Sequence, residues 1–282
     1  MKLFGAYLLA LPAYCLFRTT GNTIMQDILT FAIPILLGAS CLAHAVDTLG
    51  WRRAGLLFVT ACAIAFAAEW LGSSTGLIFG SYQYSESLGF KLLGSVPWLI
   101  PLAWFMVAYP SWFVAGLLSQ SVASRIAIAA LAVTTYDLSL EPRMVADGAW
   151  IWRDHGLYFG VPLSNFVGWF VTASAIFTIW TLITRTGTTS RSVGLHSLTP
   201  QPSYAVHDRP QSLSRPLSTS FFNAQMPAIA YIVLWLGESI AQIAFWGGTT
   251  IGLVVFLGMG SVAAPAVLKL RKIYREAAGQ SP

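Results

Sequence analysis

Charge is what this sequence has least of: Asp, Glu, Lys and Arg make up 10% of its 282 residues. Soluble domains carry about 25%, so the chain has too few charged residues to cover a water-exposed surface of its size. Cysteine is sparse as well. Cys15, Cys41 and Cys62 fall inside apolar runs, with no CxxC spacing and no clustered histidines. That pattern argues against a disulfide framework, a thiolate zinc site or a thiol nucleophile. A nucleic-acid partner is excluded on similar grounds despite the net charge of +5. The cations sit in short segments between apolar runs and at the C-terminus, where membrane topology is set.

Apolar sequence is abundant, at 56% of the chain. Runs of roughly 18 or more apolar residues recur, long enough to cross a ~30 Å hydrocarbon core. The expected fold is all-α, a polytopic transmembrane helix bundle in the cell (inner or plasma) membrane with lipid around it. The runs place about eight spans near 2–17, 25–46, 54–71, 96–118, 123–140, 163–183, 226–247 and 250–269. Met1-Lys2 with the apolar stretch to Phe17 has the look of a signal peptide but no small-x-small cleavage site, so it is read as an uncleaved first span. With the N-terminus inside, 12 of the 16 cations lie on the cytoplasmic side, leaving Arg18, Lys91, Arg143 and Arg153 outside. Both termini are therefore expected in the cytoplasm. Residues 184–225, rich in Ser, Thr, Pro and Arg, read as a flexible cytoplasmic linker. It divides a six-span bundle carrying the site, 1–183, from a final pair of spans and a basic tail, 226–282.

Charged groups inside spans are costly and face the bundle interior or a wet cavity. Glu69 lies near the outer end of the third span. Asp137 and Glu141, four residues apart and so on one helix face, lie at the outer end of the fifth. A carboxyl group in a low-dielectric pocket can stay protonated and serve as a general acid, while a better solvated one serves as base toward water. The structural alternative is that these acids cap helices or pair with Arg143 and Arg153. Three clustered carboxylates are able to hold a divalent ion, but the pattern implies no metal. Glu238 and Gln242, at i and i+4, suit bonds between helices. His44 and Asp47, near Arg52 and Arg53, suit an interfacial cluster.

Tyr82, Tyr84, Trp98, Trp104, Trp150, Trp152, Tyr158, Phe159 and Trp169 crowd the same outer half. Tyr and Trp commonly anchor membrane proteins at the interface. Beside acids, they also form the wall a developing carbocation needs. Glycines at 72, 76 and 80 permit close approach if helical and positive φ if extended; spacing does not choose between the two.

Two stretches are more specific: EWLGSSTGLIFGSYQYSESLGFKLLGSVPWLIPLAWFM from Glu69, and YDLSLEPRMVADGAWIWRDHGLYFGVPLSNFVGW from Tyr136. Together they resemble the membrane-bound carotenoid hydratases, the family of bisanhydrobacterioruberin hydratase and γ-carotene 1′,2′-hydratase. The family pattern has an acid before a Gly-rich FGxYxY and VPxxxPxAW, matched here by Glu69, Phe79, Gly80, Tyr82, Tyr84, Pro97, Pro101 and Trp104. It continues with DxxxDP, GxWxW and YFGVPxxNFxGW. Asp137, Pro142, Gly148, Trp150, Trp152, Gly156, Tyr158, Gly160, Pro162, Asn165 and Trp169 match these. Glu141 stands where the pattern has Asp, Phe90 where Pro is common, and Ser95 is an extra residue before Val96-Pro97.

The resemblance implies addition of water to the terminal 1,2 double bond of a linear (ψ-end) carotenoid drawn from the bilayer, with no redox cofactor. It implies Glu69 or Asp137 as the acid that protonates C2, and Trp104, Tyr82 or Trp150 shielding the cation at C1. Water is then placed by the other acid with Asn165 or Glu141. Tyr84, Trp98, Trp152, Tyr158 and Trp169 complete the expected substrate wall. Other carotenoid enzymes are candidate partners. Two readings from other classes stand beside this one: a proton-coupled or small-molecule transporter using Glu69, Asp137 and Glu238, and a non-catalytic scaffold for soluble biosynthetic enzymes.

Overall fold

The computed structural model describes residues 1–154, 156–186 and 217–278; most of the expected linker, 187–216, lies outside them. The described residues form helices α1 (Lys2–Thr19), α2 (Thr23–Leu49), α3 (Trp51–Thr75), α4 (Leu99–Leu118), α5 (Val122–Ala146), α6 (Leu163–Thr186), α7 (Leu217–Ala224), α8 (Met226–Ala244) and α9 (Thr249–Ala277). Four very short strands, β1 (Tyr82–Tyr84), β2 (Lys91–Leu92), β3 (Val96–Pro97) and β4 (Trp150–Trp152), lie in the connections.

The apolar runs become helices because a backbone in hydrocarbon must satisfy its own hydrogen bonds. All but α1 and α7 are long and apolar enough to cross a membrane, which gives seven clear spans among the described residues where about eight were expected. The difference is α1. Its 18 residues reach about 27 Å at the α-helical rise, with Lys2 at one end and Arg18 at the other diluting the apolar run.

Helix ends follow local chemistry. Gly50, at φ 80°, turns α2 directly into α3. Gly76 ends α3 in the left-handed conformation, at φ 73°, the usual glycine cap. The glycine triplet thus divides between its two readings. Gly72 is helical and meets the Phe79 ring, so that an added Cβ would come within 2.6 Å of it, while Gly76 and Gly80 adopt positive φ.

Helix α4 is the hub. Every residue from Trp104 to Gly116 is buried, as befits a helix that is apolar all round, and it packs against α2, α3, α5, α8 and α9. The outer helices instead expose apolar residues such as Ile28, Val59, Leu253 and Leu257, the surface a lipid-facing bundle presents.

Four connections meet at one end of the bundle. Strand β1, between α3 and α4, pairs antiparallel with β4, between α5 and α6, in the register Tyr82 to Trp152 and Tyr84 to Trp150. Arg18, closing α1, grips Asp147 beyond α5 with two hydrogen bonds of 2.7 and 3.0 Å. The Arg18 and Arg143 guanidiniums lie 5.8 and 4.9 Å from the ring of Trp246, in the α8–α9 turn.

Candidate active site

The β1–β4 pairing builds the site by simple alternation. Side chains on a strand point to opposite faces in turn, so Tyr82, Tyr84, Trp150 and Trp152 all turn inward. Gln83 and Ile151 turn out; Ile151 is 64% exposed. The four rings pack against one another, Tyr82 on Trp152 at 5.0 Å and Tyr84 edge-on to Trp150 at 5.7 Å.

Their polar tips are spent on the acids. Glu69, on α3, accepts from Tyr82 Oη (2.5 Å) and Tyr84 Oη (2.8 Å) at Oε2, and from Trp104 Nε1 (2.9 Å) at Oε1. Glu141, on α5, accepts both indole N–H groups at one oxygen: Trp150 Nε1 at 2.8 Å and Trp152 Nε1 at 3.1 Å from Oε2. Among the described residues nothing hydrogen-bonds its Oε1. Asp137 sits one turn below Glu141, 0% exposed. Its Oδ2 accepts from Asn165 Nδ2 at 2.7 Å, and its Oδ1 is buried with no hydrogen-bond partner among the described residues.

No ion pair among the described residues involves Glu69, Asp137 or Glu141. Arg143, a cation considered as their partner, instead approaches Glu238 at 3.6 Å. Glu238 also accepts from Ser139 Oγ at 2.8 Å, and Gln242 Nε2 donates to the Ser139 carbonyl at 3.1 Å. Glu238 and Gln242 therefore do tie α8 to α5. His44 is drawn inward from the interface: its Nδ1 lies 2.8 Å from Tyr109 Oη and its Nε2 3.3 Å from the Ala224 carbonyl.

Electrostatics in the loops follow from this arrangement. Burial, and then the neighbouring Glu69, push the Tyr82 and Tyr84 phenols well above their ordinary range, so both remain hydrogen-bond donors. Tyr158, outside the cluster, is pushed up to about 12 by burial and then by Asp137.

A cavity of about 370 Å³ opens beside these groups, between α1, α2, α4, α5 and α8. Glu69, Glu141 and Asn165 line it, together with Tyr82, Tyr84, Trp104, Trp150, Trp152 and Trp169. Trp104 and Trp169 stack at 4.1 Å and 21°, forming an aromatic floor from α4 and α6. Three residues expected at the site lie off the cavity. Asp137 stands behind Asn165. Trp98 stacks on Phe31 at 6.2 Å, and Tyr158 donates to the Leu138 carbonyl at 2.9 Å. The cavity also takes in groups that sequence reasoning did not single out, Tyr7 and Tyr14 on α1 and Tyr136 on α5. Tyr136 adjoins Asp137 in the sequence, but nothing local marks which helix face any of the three would take.

Fold and cavity together define a multi-pass membrane protein with a carboxylate-bearing apolar chamber near one end of its bundle. The chain belongs to the carotenoid biosynthesis protein family, whose description fits residues 29–206. It is 33% identical over 127 residues to bisanhydrobacterioruberin hydratase of Haloarcula japonica; the match spans 44% of this chain and 43% of that protein. No solved structure matches the chain. Family membership places the protein in carotenoid biosynthesis.

Proposed function

We propose that the protein adds water across the terminal 1,2 double bond of a linear, ψ-ended carotenoid to give a tertiary alcohol. The observation that carries this reading is the pairing of Glu69 and Glu141, neither matched by a cation among the described residues, on one aromatic-walled apolar cavity. The hydratase name of the Haloarcula relative supports the same chemistry.

The hydrogen bonds divide the roles. Both oxygens of Glu69 are engaged by three donors, so Glu69 serves as the fixed negative charge and proton acceptor. Glu141 keeps Oε1 for a proton and delivers it to C2, the carbon whose protonation leaves the more stable tertiary cation at C1. The Trp104–Trp169 stack and the Tyr82 ring face that cation and stabilise it through the ring quadrupole. Asn165 commits one N–H to Asp137 and has a second N–H and a carbonyl with which to orient water. Water oxygen bonds to C1, its surplus proton passes to Glu69, and transfer back to Glu141 resets the site. The sum is one water added, with no change of oxidation state and no place for a redox cofactor. Asp137 orients Asn165 in this scheme, because it does not line the cavity.

The test is expression in bacteria that accumulate a linear carotene, with pigments read by mass spectrometry. A product heavier by one water is expected, and it should disappear with Glu141→Gln. Unchanged pigment from membrane-inserted protein, in hosts supplying linear carotenes of two chain lengths, would overturn the reading.

A further inference from the structure

The same cavity has a second polar side, away from the acids and the aromatic palisade. Arg143, Glu238, Tyr7 and Tyr136 all line it. Glu238 is held from both sides, by Arg143 at 3.6 Å and by Ser139 Oγ at 2.8 Å. The donors here are not all used. Tyr7 is 0% exposed, and its hydroxyl has no hydrogen-bond partner among the described residues; the same holds for Arg143 Nε.

Buried polar groups are normally paired, and leaving one unpaired is costly. A hydrocarbon ligand offers nothing to bond a phenol or a guanidinium. The groups also form a descending series. Counted from the ends of their helices at 1.5 Å per residue, Arg143 lies about 5 Å in and Tyr7 about 18 Å in. The series begins at the Arg18–Asp147 pair, whose side chains are 25% exposed, and ends deep in the bundle.

We propose that this cluster holds the water that the reaction consumes, receiving it from the Arg18–Asp147 end and keeping it beside the carotenoid. Arg143 Nε donates to water at the shallow end of the series and Tyr7 Oη to water at its deep end, and Glu238 accepts. The proposal rests on the hydratase reading for its purpose, but the site itself is detectable without turnover.

Pulsed hydroxyl-radical footprinting of the full-length protein in carotenoid-free nanodiscs provides that detection, because radicals formed from a held water modify the side chains around it. Tyr7 should be modified, while Phe4, equally buried at 1% exposure on the same helix, should not. Tyr7 no more modified than Phe4 would overturn the proposal. In the hydratase assay, Tyr7→Phe removes one donor with little change of shape and should lower kcat by about tenfold, the scale of one hydrogen bond, with KM within about twofold. An unchanged kcat in that variant would also overturn it. Footprinting of Tyr7 in a protein that hydrates no linear carotene would leave the water site standing and remove the hydratase reading alone.

Discussion

Glu69 gathers a phenol from each end of one strand and an indole from α4, and each of those donors bonds only to an acceptor. Glu69→Gln keeps the shape but replaces one acceptor oxygen with an NH2 group, which must face either the Trp104 indole N–H or the two phenols. Hydratase turnover should fall by roughly a hundredfold or more, the scale of losing an acid–base group, with the protein still inserted; comparison of pigment conversion against membrane-protein yield reads both. The phenols have a signature of their own. Tyr82 and Tyr84 hold their protons above the ordinary range, whereas the unfolded chain releases them near pH ~10. Stability therefore falls as pH rises past that point, because the folded state binds the extra protons. Below unfolding, the tyrosinate absorbance of a Tyr82→Phe, Tyr84→Phe double variant should equal that of the parent; a smaller amplitude would mean these phenols ionise normally. The sequence placed aromatics beside acids, but it assigned the rings as a wall and left their N–H and O–H groups unaimed. Aim depends on a strand pairing across about 70 residues of chain, from Tyr82 to Trp152, and no local pattern encodes that.

The spans were legible as elements because the length of an apolar run is itself the physical requirement for crossing lipid. Each expected span has its helix, and the structure extends most of them, α5 through Glu141 and Arg143 to Ala146. Strands β1 and β4 were not legible. Three residues of alternation, Tyr-Gln-Tyr and Trp-Ile-Trp, are too few to establish a period. Yet this pairing orders the site. Hydrogen bonds from Arg153 N to Ser81 O and from Ser85 N to Ala149 O flank it, so the alternation of an antiparallel ladder makes Gln83 and Ile151 a bonded pair. Ile151→Pro removes that donor and should cut hydratase activity sharply, while Ile151→Thr, at the same exposed position, should leave it within about twofold. Assays of the two variants side by side separate loss of the ladder from loss of the side chain. A comparable effect is expected at the end of α3. Gly72→Ala drives a methyl into the Phe79 ring and should cost about 1–3 kcal/mol, seen as a lower thermal transition in detergent.

Across the whole molecule, the cations favour a cytoplasmic position for both termini, with the paired loops on the opposite face. Leu157 lies in those loops and is 91% exposed. A Leu157→Cys variant should react with a membrane-impermeant thiol reagent in intact cells, and an Arg271→Cys variant only after lysis; the reverse pattern would invert the topology. The Arg143–Glu238 contact belongs to this scale too. It joins α5 to α8 over a long stretch of chain, which is why the sequence offered Arg143 to the wrong acids. The loops that form the strand pair, with the Arg18–Asp147 grip, roof the chamber on its aqueous side, and Glu69 and Glu141 are each only 4% exposed. Ile240 and Phe245, by contrast, line the cavity and are 56% and 43% exposed on the flank of α8. A pigment reaching the acids by that flank arrives sideways, from the acyl-chain layer. Its supply is then two-dimensional: conversion should track the pigment's mole fraction in the bilayer, and adding plain lipid at fixed amounts of protein and pigment should slow it.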